Sequence, residues 1–301
     1  MGVDSPANLL VRGAELGLGS LGLCDVDSVA GLVEFVQAWE RLEADLPGQG
    51  PRPILGAEIS DPTGQPGRVV ALVTSGEGWK SLCKLVSARR LGADPGGVAP
   101  EDLRGPASFL LVDAVLEFSA GLIFLVDHPR LLFALAGRLG EGQLFAGLPV
   151  PPPGLGRGAS GATGAAVSDA TWSLFDAPSP PDPEHLDFIE AGKAPPPVRP
   201  DPLIVAGLVG AAKALVIPMV AAPDCYFAKS EGQAAHRIRA AIRGNALVER
   251  VPETWLAPDT ASIESAAHMR ELFDAYAPLL QNAGDCPTAS TVPSVPSVPS
   301  V

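Results

Sequence analysis

The chain alternates short apolar runs with longer segments whose apolar residues recur at helical spacing. A helix is predicted over 7–18, where Ser5 can cap and Pro6 fits the first position, and another from Val29 to Trp39. Further helices are predicted over 78–91, 129–139, 204–215, 231–243 and 262–282, and strands over 20–25, 52–60, 68–74, 121–127, 143–148 and 216–222. Strands that alternate with helices are typical of parallel βα units, and six or seven of them favour a barrel-like α/β closure over an open sheet.

Two segments interrupt this alternation. Residues 151–200 contain 11 Pro and 6 Gly, which predicts an irregular insertion. From Val292 the tripeptide Val-Pro-Ser repeats three times, which is a low-complexity pattern. We therefore expect one domain over 1–285 that carries the insertion, followed by a disordered tail over 286–301.

The charge balance limits the partners. A formal net charge of −13 argues that direct nucleic-acid binding by the general surface is weak or absent, because phosphate contacts need a positive footprint. One strip, 228–250, carries a local excess of basic residues. Within it Arg237, Arg239 and Arg243 could contact DNA phosphate or an acidic partner, and the alternative is an ordinary solvated helix face.

The spacing of the four cysteines and the composition of the first residues further restrict the class of protein. No two cysteines have C-x-x-C spacing, so the sequence holds neither a zinc knuckle nor a thioredoxin motif. No signal peptide opens the chain and no apolar run approaches membrane-spanning length. We expect a cytoplasmic protein with no membrane partner.

Three blocks of sequence, in this order, resemble a known family. They read GLGSLGLCDVDSVAGLVEF (17–35), RPILGAEIS (52–60) with RVVALVTSGEGWKSLCKLVSARRLG (68–92), and VIPMVAAPDCYFAKSEGQAAHRIRAAIRGN (216–245). Together they are similar to the polymerase-and-histidinol-phosphatase (PHP) domain at the front of bacterial DNA polymerase III alpha subunits, most of all in the error-prone branch. The resemblance implies a distorted (β/α)7 barrel, here lacking its first strand, with its chemistry at the carboxyl ends of the strands.

Active members of that family hold two or three metal ions with His, Asp and Glu side chains and hydrolyse phosphoesters. The resemblance places Asp25, Glu58 and Asp224 at carboxylate positions of this site, and His128 loosely at another ligand position. Three carboxylates could hold Mg²⁺ or Mn²⁺ weakly but make a poor zinc site, so we expect no firmly bound cofactor. Each acid has an alternative role as a helix cap or as the partner of an arginine.

Most of the family's histidines are absent. The opening His-x-His does not occur, and Val26, Arg68 and Tyr226 stand where the family has histidines. Arg68 is a permanent cation aimed at the place of a metal, and we predict that it pairs with Glu58, because an unpaired buried carboxylate is costly. His236 resembles a family histidine on a helix, with a core histidine as the alternative.

Two functions follow from this pattern. The first is a non-enzymatic structural or interaction module for a DNA polymerase or a repair protein, in DNA replication or repair. The alternative is a residual metal-dependent phosphoesterase or 3′–5′ exonuclease that uses the three carboxylates and His128. Convergence of the carboxylates in an open cleft favours the enzyme, and a guanidinium between them favours the module. A start upstream of Met1 would restore the first strand and two ligands, but not the other lost histidines.

Overall fold

The computed structural model describes residues 2–92, 109–150, 201–258 and 261–277. In these ranges the chain forms one sheet of six strands whose spatial order follows the sequence. The strands are β1 (Ser20–Val26), β2 (Arg52–Ser60), β3 (Arg68–Val73), β4 (Leu122–Val126), β5 (Leu144–Leu148) and β6 (Met219–Ala221). The predicted insertion over 151–200 and the tail over 286–301 lie outside the described residues.

The sheet is mixed, so the expectation of parallel units throughout is wrong at one strand. β3 runs antiparallel to both of its neighbours, β2 and β4, whereas the other adjacent strands pair in parallel. Only residues 61–67 join β2 to β3, and a parallel crossover needs a dozen residues or more. Asp61 tightens this turn by accepting hydrogen bonds from the Thr63 amide and hydroxyl.

Eight α-helices accompany the strands in the described ranges. They are α1 (Pro6–Glu15), α2 (Ala30–Asp45), α3 (Gly76–Gly92), α4 (Leu111–Glu117), α5 (Pro129–Leu135), α6 (Pro202–Leu215), α7 (Gln233–Arg243) and α8 (Ala266–Leu272). The predicted capping of α1 is present, because Ser5 Oγ accepts a hydrogen bond from the Asn8 amide and Pro6 holds the first position. The sequence analysis missed α4, which has seven residues and no side-chain hydrogen bond at its N-cap, Leu110.

Several predicted elements are shorter than expected, and α1 and α5 end at Glu15 and Leu135 rather than at residues 18 and 139. The helix predicted over 262–282 begins only at Ala266, because Ser265 caps it and Ser262 pairs with Phe227 in an isolated bridge. The strand predicted over 216–222 is reduced to β6, because Val216 adopts the left-handed conformation that ends α6.

The two faces of the sheet have different surroundings. Alternate residues such as Val69, Ala71 and Val73 pack into the main core against the helices. The opposite face carries a smaller apolar cluster of Ile123, Phe145 and Val220. We call this second surface the inner face, because the sheet curls around it. The fold is therefore α/β with a curled, half-barrel sheet, which confirms the predicted fold class. No helix in the described ranges has the length and apolar character needed to cross a membrane.

Candidate functional site

Arg68 lies at the centre of a cluster of three carboxylates on the inner face. Its Nη1 is 2.9 Å from Glu58 Oε2, its Nε is 2.6 Å from Asp127 Oδ2, and its Nη2 is 2.5 Å from Asp224 Oδ2. The Arg68 side chain is 26% exposed, and its partners range from 14% for Glu58 to 36% for Asp224, so the contact to Glu58 is the one most withdrawn from water. We call Arg68 with Glu58, Asp127 and Asp224 the arginine cage.

The topology of the sheet explains why these four residues meet. β2, β4 and β6 run in one direction, so residues at their carboxyl ends gather at one edge of the sheet. β3 runs the opposite way, so its first residue, Arg68, lies at that same edge. Asp127 holds Arg68 twice, because its Oδ1 also accepts a hydrogen bond from the Arg68 amide at 2.9 Å.

The curl of the sheet brings Asp224 within reach. β3 and β6 are three strands apart in the sheet, and three spacings in a flat sheet amount to about 14 Å. Asp224 follows β6 by three residues and still contacts the Arg68 guanidinium. The cage therefore connects the segment after β6, the last strand of the sheet, to β3 near its middle across the inner face.

Three carboxylates against one guanidinium leave the cage with an excess of negative charge. Burial raises the pKa of Glu58, the Arg68 charge opposes that rise, and Asp224 and Asp127 reinforce it. Burial alone would lower the pKa of Arg68, but Asp224, Glu58 and Asp127 together raise it above its usual value. Arg68 is therefore a permanent cation at every accessible pH.

The residues of the cage do not fit a metal ion beside Arg68. A divalent ion would need the carboxylate oxygens that already accept hydrogen bonds from Arg68 Nη1, Nε and Nη2. It would also lie against a guanidinium of the same charge sign. Across the described ranges no group of three or more His, Cys, Asp or Glu side chains is arranged to hold a metal.

Asp25, a predicted partner of Glu58 and Asp224, lies outside the cage. In the parallel pairing of β1 with β2, Asp25 is opposite Ala57 and Val26 is opposite Glu58. Successive side chains of a strand point to opposite faces, so Asp25 leaves the sheet on the face away from Glu58. It lies beside α2 instead, where a Cβ placed on Gly31 would be 2.6 Å from Asp25 Oδ2.

Both histidines singled out from the sequence have local structural contacts. His128 is the N-cap of α5, and its Nδ1 accepts a hydrogen bond from the Arg130 amide at 3.2 Å. Burial lowers the pKa of His128, which favours the neutral ring that such an acceptor requires. His236 is buried, and its Nε2 accepts a hydrogen bond from the Ala257 amide at 3.1 Å beside the ring of Tyr226.

Two of the three arginines predicted to make contacts in the basic strip bind other residues of this chain. Arg237 forms an ion pair with Glu253 at 2.8 Å, and Arg239 donates a hydrogen bond to the Gly2 backbone oxygen. The side chain of Arg243 lies outside the described part of the structure. Phosphate binding by these arginines stays a prediction.

The sequence analysis missed two acidic residues that form ion pairs between elements of the fold, Asp127 and Asp27. Asp127 directly follows β4, and the available signal was an acid at the end of the apolar run GLIFLVD. Asp27 follows β1 and accepts hydrogen bonds from the Ser60 amide at 2.9 Å and the Ser60 hydroxyl at 2.6 Å. Arg89 of α3 completes this second cluster, with its Nη2 3.1 Å from Asp27 Oδ2. We call Asp27, Ser60 and Arg89 the Asp27–Arg89 bridge.

The segment 1–146 contains the first four strands, Arg68 and two of its three carboxylates, Glu58 and Asp127. It matches the family model of the PHP domain. The PHP resemblance inferred from the first two sequence blocks is thereby confirmed over this segment, which is just under half of the chain. The third carboxylate of the cage, Asp224, lies beyond the match.

Polymerase subunits are similar to the chain over different lengths. The error-prone DNA polymerase of Anaeromyxobacter sp. (strain K) is 35% identical over 127 residues, which are 41% of this chain and 10% of that protein. The DNA polymerase III subunit alpha of Xylella fastidiosa (strain 9a5c) is 28% identical over 286 residues, which are 92% of this chain and 20% of that protein. The chain thus spans about a tenth to a fifth of these relatives, and the longer alignment includes the third sequence block.

A crystal structure from Bifidobacterium adolescentis, assigned by its name to the metal-dependent phosphoesterases, also aligns with the chain. The alignment covers 91% of this chain and 92% of that one, with 12% identity and a TM-score of 0.36. We draw nothing from it, because the TM-score is low. The PHP relationship rests on the sequence comparisons.

Replacing Glu58 by glutamine should leave the free energy of unfolding at pH 7 unchanged or raise it by about 1 kcal/mol. A folded pKa above the unfolded value means that ionisation of Glu58 costs stability as the pH rises through the folded pKa. Glutamine removes that cost, and its amide oxygen can still accept from Arg68. Urea unfolding between pH 4 and 7 checks this, and a Glu58→Gln variant that loses several kcal/mol at pH 7 would contradict it.

Proposed function

We propose that this chain is a PHP-like module in which Arg68 has replaced the metal ions of the active family. The observation that carries the proposal is the arginine cage, in which one guanidinium donates hydrogen bonds to three carboxylates at the edge of the sheet. The module acts without catalysis, as a structural or interaction partner of a DNA polymerase or repair protein in the cytoplasm.

A guanidinium can replace the structural role of a metal but not its chemistry. Its planar fork of N–H donors binds several carboxylates in fixed directions, which holds the strand ends together. It stays protonated, so it cannot act as a general acid or base, and it does not lower the pKa of a water molecule as a divalent ion does. Phosphoester hydrolysis by the family's route therefore has no activated water here.

The polymerase relatives support the class of partner. The chain matches an alpha subunit over 92% of its own length and 20% of that protein's length. A role beside such an enzyme, in replication or repair, is consistent with that relationship. The phosphoesterase alternative would need Asp25 next to Glu58 and Asp224, and the strand register points Asp25 to the other face.

The proposal is tested by metal content and by hydrolysis with the purified full chain. After loading with Mn²⁺ and desalting, elemental mass spectrometry should find no stoichiometric metal. EDTA should not shift the thermal midpoint. A 3′–5′ exonuclease assay on single-stranded DNA and hydrolysis of p-nitrophenyl phosphate, both with Mn²⁺, should show no activity above a buffer control.

The matched variant is Arg68→His, which removes the guanidinium and supplies a nitrogen ligand. It should bind Mn²⁺ measurably in a titration where the unmodified chain does not. The proposal is wrong if the unmodified chain retains Mn²⁺ that is lost in a Glu58→Ala, Asp224→Ala double variant, or if its hydrolysis depends on Mn²⁺ and on those two residues.

A further inference from the structure

The outer face of α7 exposes aliphatic side chains that nothing in the described chain covers. His236, Ala240 and Ala241 point inward and are buried. On the opposite face Ile238 and Ile242, one helical turn apart, are 50% and 75% exposed. Leu247 and Val248, just beyond the helix, are exposed as well. Grouped exposed aliphatics of this kind mark contact surfaces more often than isolated ones do.

The charges around this face are basic. Between Gln233 and Arg243 the helix contains three arginines and no acidic residue, on a chain whose net charge is −13. Glu253 neutralises Arg237, whereas Arg239 donates only to the uncharged Gly2 backbone oxygen and keeps its positive charge. A nucleic acid would meet the overall net charge of −13, and isoleucines, the side chains this face exposes most, do not bind phosphate. The surface therefore suits a protein better than a nucleic acid.

Charge also decides between a second copy and a different protein. A two-fold contact would bring the same arginine-bearing face of two copies together, and each copy carries a large negative net charge elsewhere. Both effects oppose self-association through α7. An occupant with carboxylates beside apolar side chains meets neither obstacle.

We propose that the outer face of α7, with Ile238 and Ile242 at its centre and Arg239 at its side, docks an amphipathic segment of another protein that is apolar on one side and acidic on the other. This inference gives the proposed interaction role a surface and rests on that role. It does not depend on the arginine cage, so the metal and hydrolysis tests at Arg68 can fail or succeed separately.

The test uses a fluorescein-labelled synthetic helix of about 20 residues, with leucines at i, i+3, i+4 and i+7 spacing and glutamates elsewhere. Fluorescence anisotropy with the full chain should show saturable binding that weakens as salt is added. Ile242→Glu should weaken it at least about tenfold, as should replacement of the peptide's glutamates by lysines.

The control variant is Val33→Glu, at a valine on α2 that is 52% exposed and lies outside this face, and it should bind the peptide like the unmodified chain. Circular dichroism and thermal midpoints should be the same for all three chains, since both altered sites are open to solvent. The proposal fails if the peptide does not bind, if Ile242→Glu binds it equally well, or if the lysine peptide binds as tightly. It also fails if Ile242→Glu instead abolishes dimerisation in sedimentation velocity, or binding to duplex DNA or to anionic vesicles.

Discussion

Replacing Arg68 by methionine is expected to lower the free energy of unfolding at pH 7 by about 3 kcal/mol. Methionine fills a similar volume but leaves Glu58, Asp127 and Asp224 together at the edge of the sheet with no cation between them. Removing one partner of a buried ion pair costs about 3–5 kcal/mol. We take the lower end, because Asp224 is 36% exposed and water can screen part of its charge.

The loss should depend on pH in a defined direction. In the unmodified chain Arg68 is the neighbour that lowers the pKa of Glu58, against burial, Asp224 and Asp127, which raise it. Without Arg68 the folded pKa of Glu58 rises further. A group with a raised folded pKa contributes stability below its unfolded pKa and loses it as the pH rises through the folded value. The deficit of Arg68→Met should therefore be largest near pH 7 and shrink below the ordinary glutamate value of about 4.5.

Urea unfolding of the full chain at pH 7 and at pH 4 measures both the loss and its pH dependence. Arg41→Met is the matched control, because Arg41 is an exposed residue of α2 and its replacement should change stability by less than about 0.5 kcal/mol. Equal losses for the two variants, or a deficit for Arg68→Met that does not shrink at pH 4, would show that the cage holds no buried ion pairs of consequence.

Local sequence signals predicted most of the elements of the fold. The pair Ser5 and Pro6 fixes the start of α1, and the apolar run from Arg52 to Ser60 coincides with β2. The direction of β3 follows from the connection 61–67, which is too short for a parallel crossover. The start of α8 was not predictable from apolar spacing, because it depends on the Ser265 cap and on a bridge to Phe227, which is distant in the sequence.

The contact between Glu58 and Arg68 was predictable, and the rest of the site was less so. Both residues belong to one hairpin, in which Ser60 pairs with Arg68 and Glu58 lies on the same face two residues earlier. The position of Asp25 depends on the register of β1 against β2, and a shift of one residue reverses the face. No sequence pattern within β1 specifies that register.

Asp127 and Asp224 illustrate the limit set by tertiary structure. Each follows a strand and reaches Arg68 only because β3 is reversed, and Asp224 needs the curl of the sheet as well. The resemblance to the PHP family identified Asp224, whereas Asp127 lies outside the three blocks that carry the resemblance. An acid at a strand end is a frequent feature, and only the assembled sheet distinguishes a cage residue from a helix cap.

Replacing Arg89 by alanine is expected to lower the free energy of unfolding by about 2 kcal/mol. Arg89 donates to the Ser60 backbone oxygen at 2.7 Å and to its hydroxyl at 2.9 Å, besides pairing with Asp27. The side chains of Arg89 and Asp27 are each 14% exposed, so the change leaves a carboxylate and a carbonyl short of a partner in a poorly hydrated place. The loss stays below that at Arg68, because Asp27 keeps its two hydrogen bonds from Ser60.

Arg89→Lys separates charge from geometry at this bridge. Lysine restores a positive charge near Asp27, but a single ammonium cannot reproduce the fork that reaches the Ser60 carbonyl, the Ser60 hydroxyl and the carboxylate together. Guanidinium chloride unfolding at pH 7 should therefore place Arg89→Lys between Arg89→Ala and the unmodified chain. Full rescue by lysine would mean that Asp27 needs only a counter-charge. No rescue would mean that the contacts from Arg89 to Ser60 hold β1, β2 and α3 together. Ser60 pairs with Arg68 in the sheet, so these contacts lie at the edge that carries the cage.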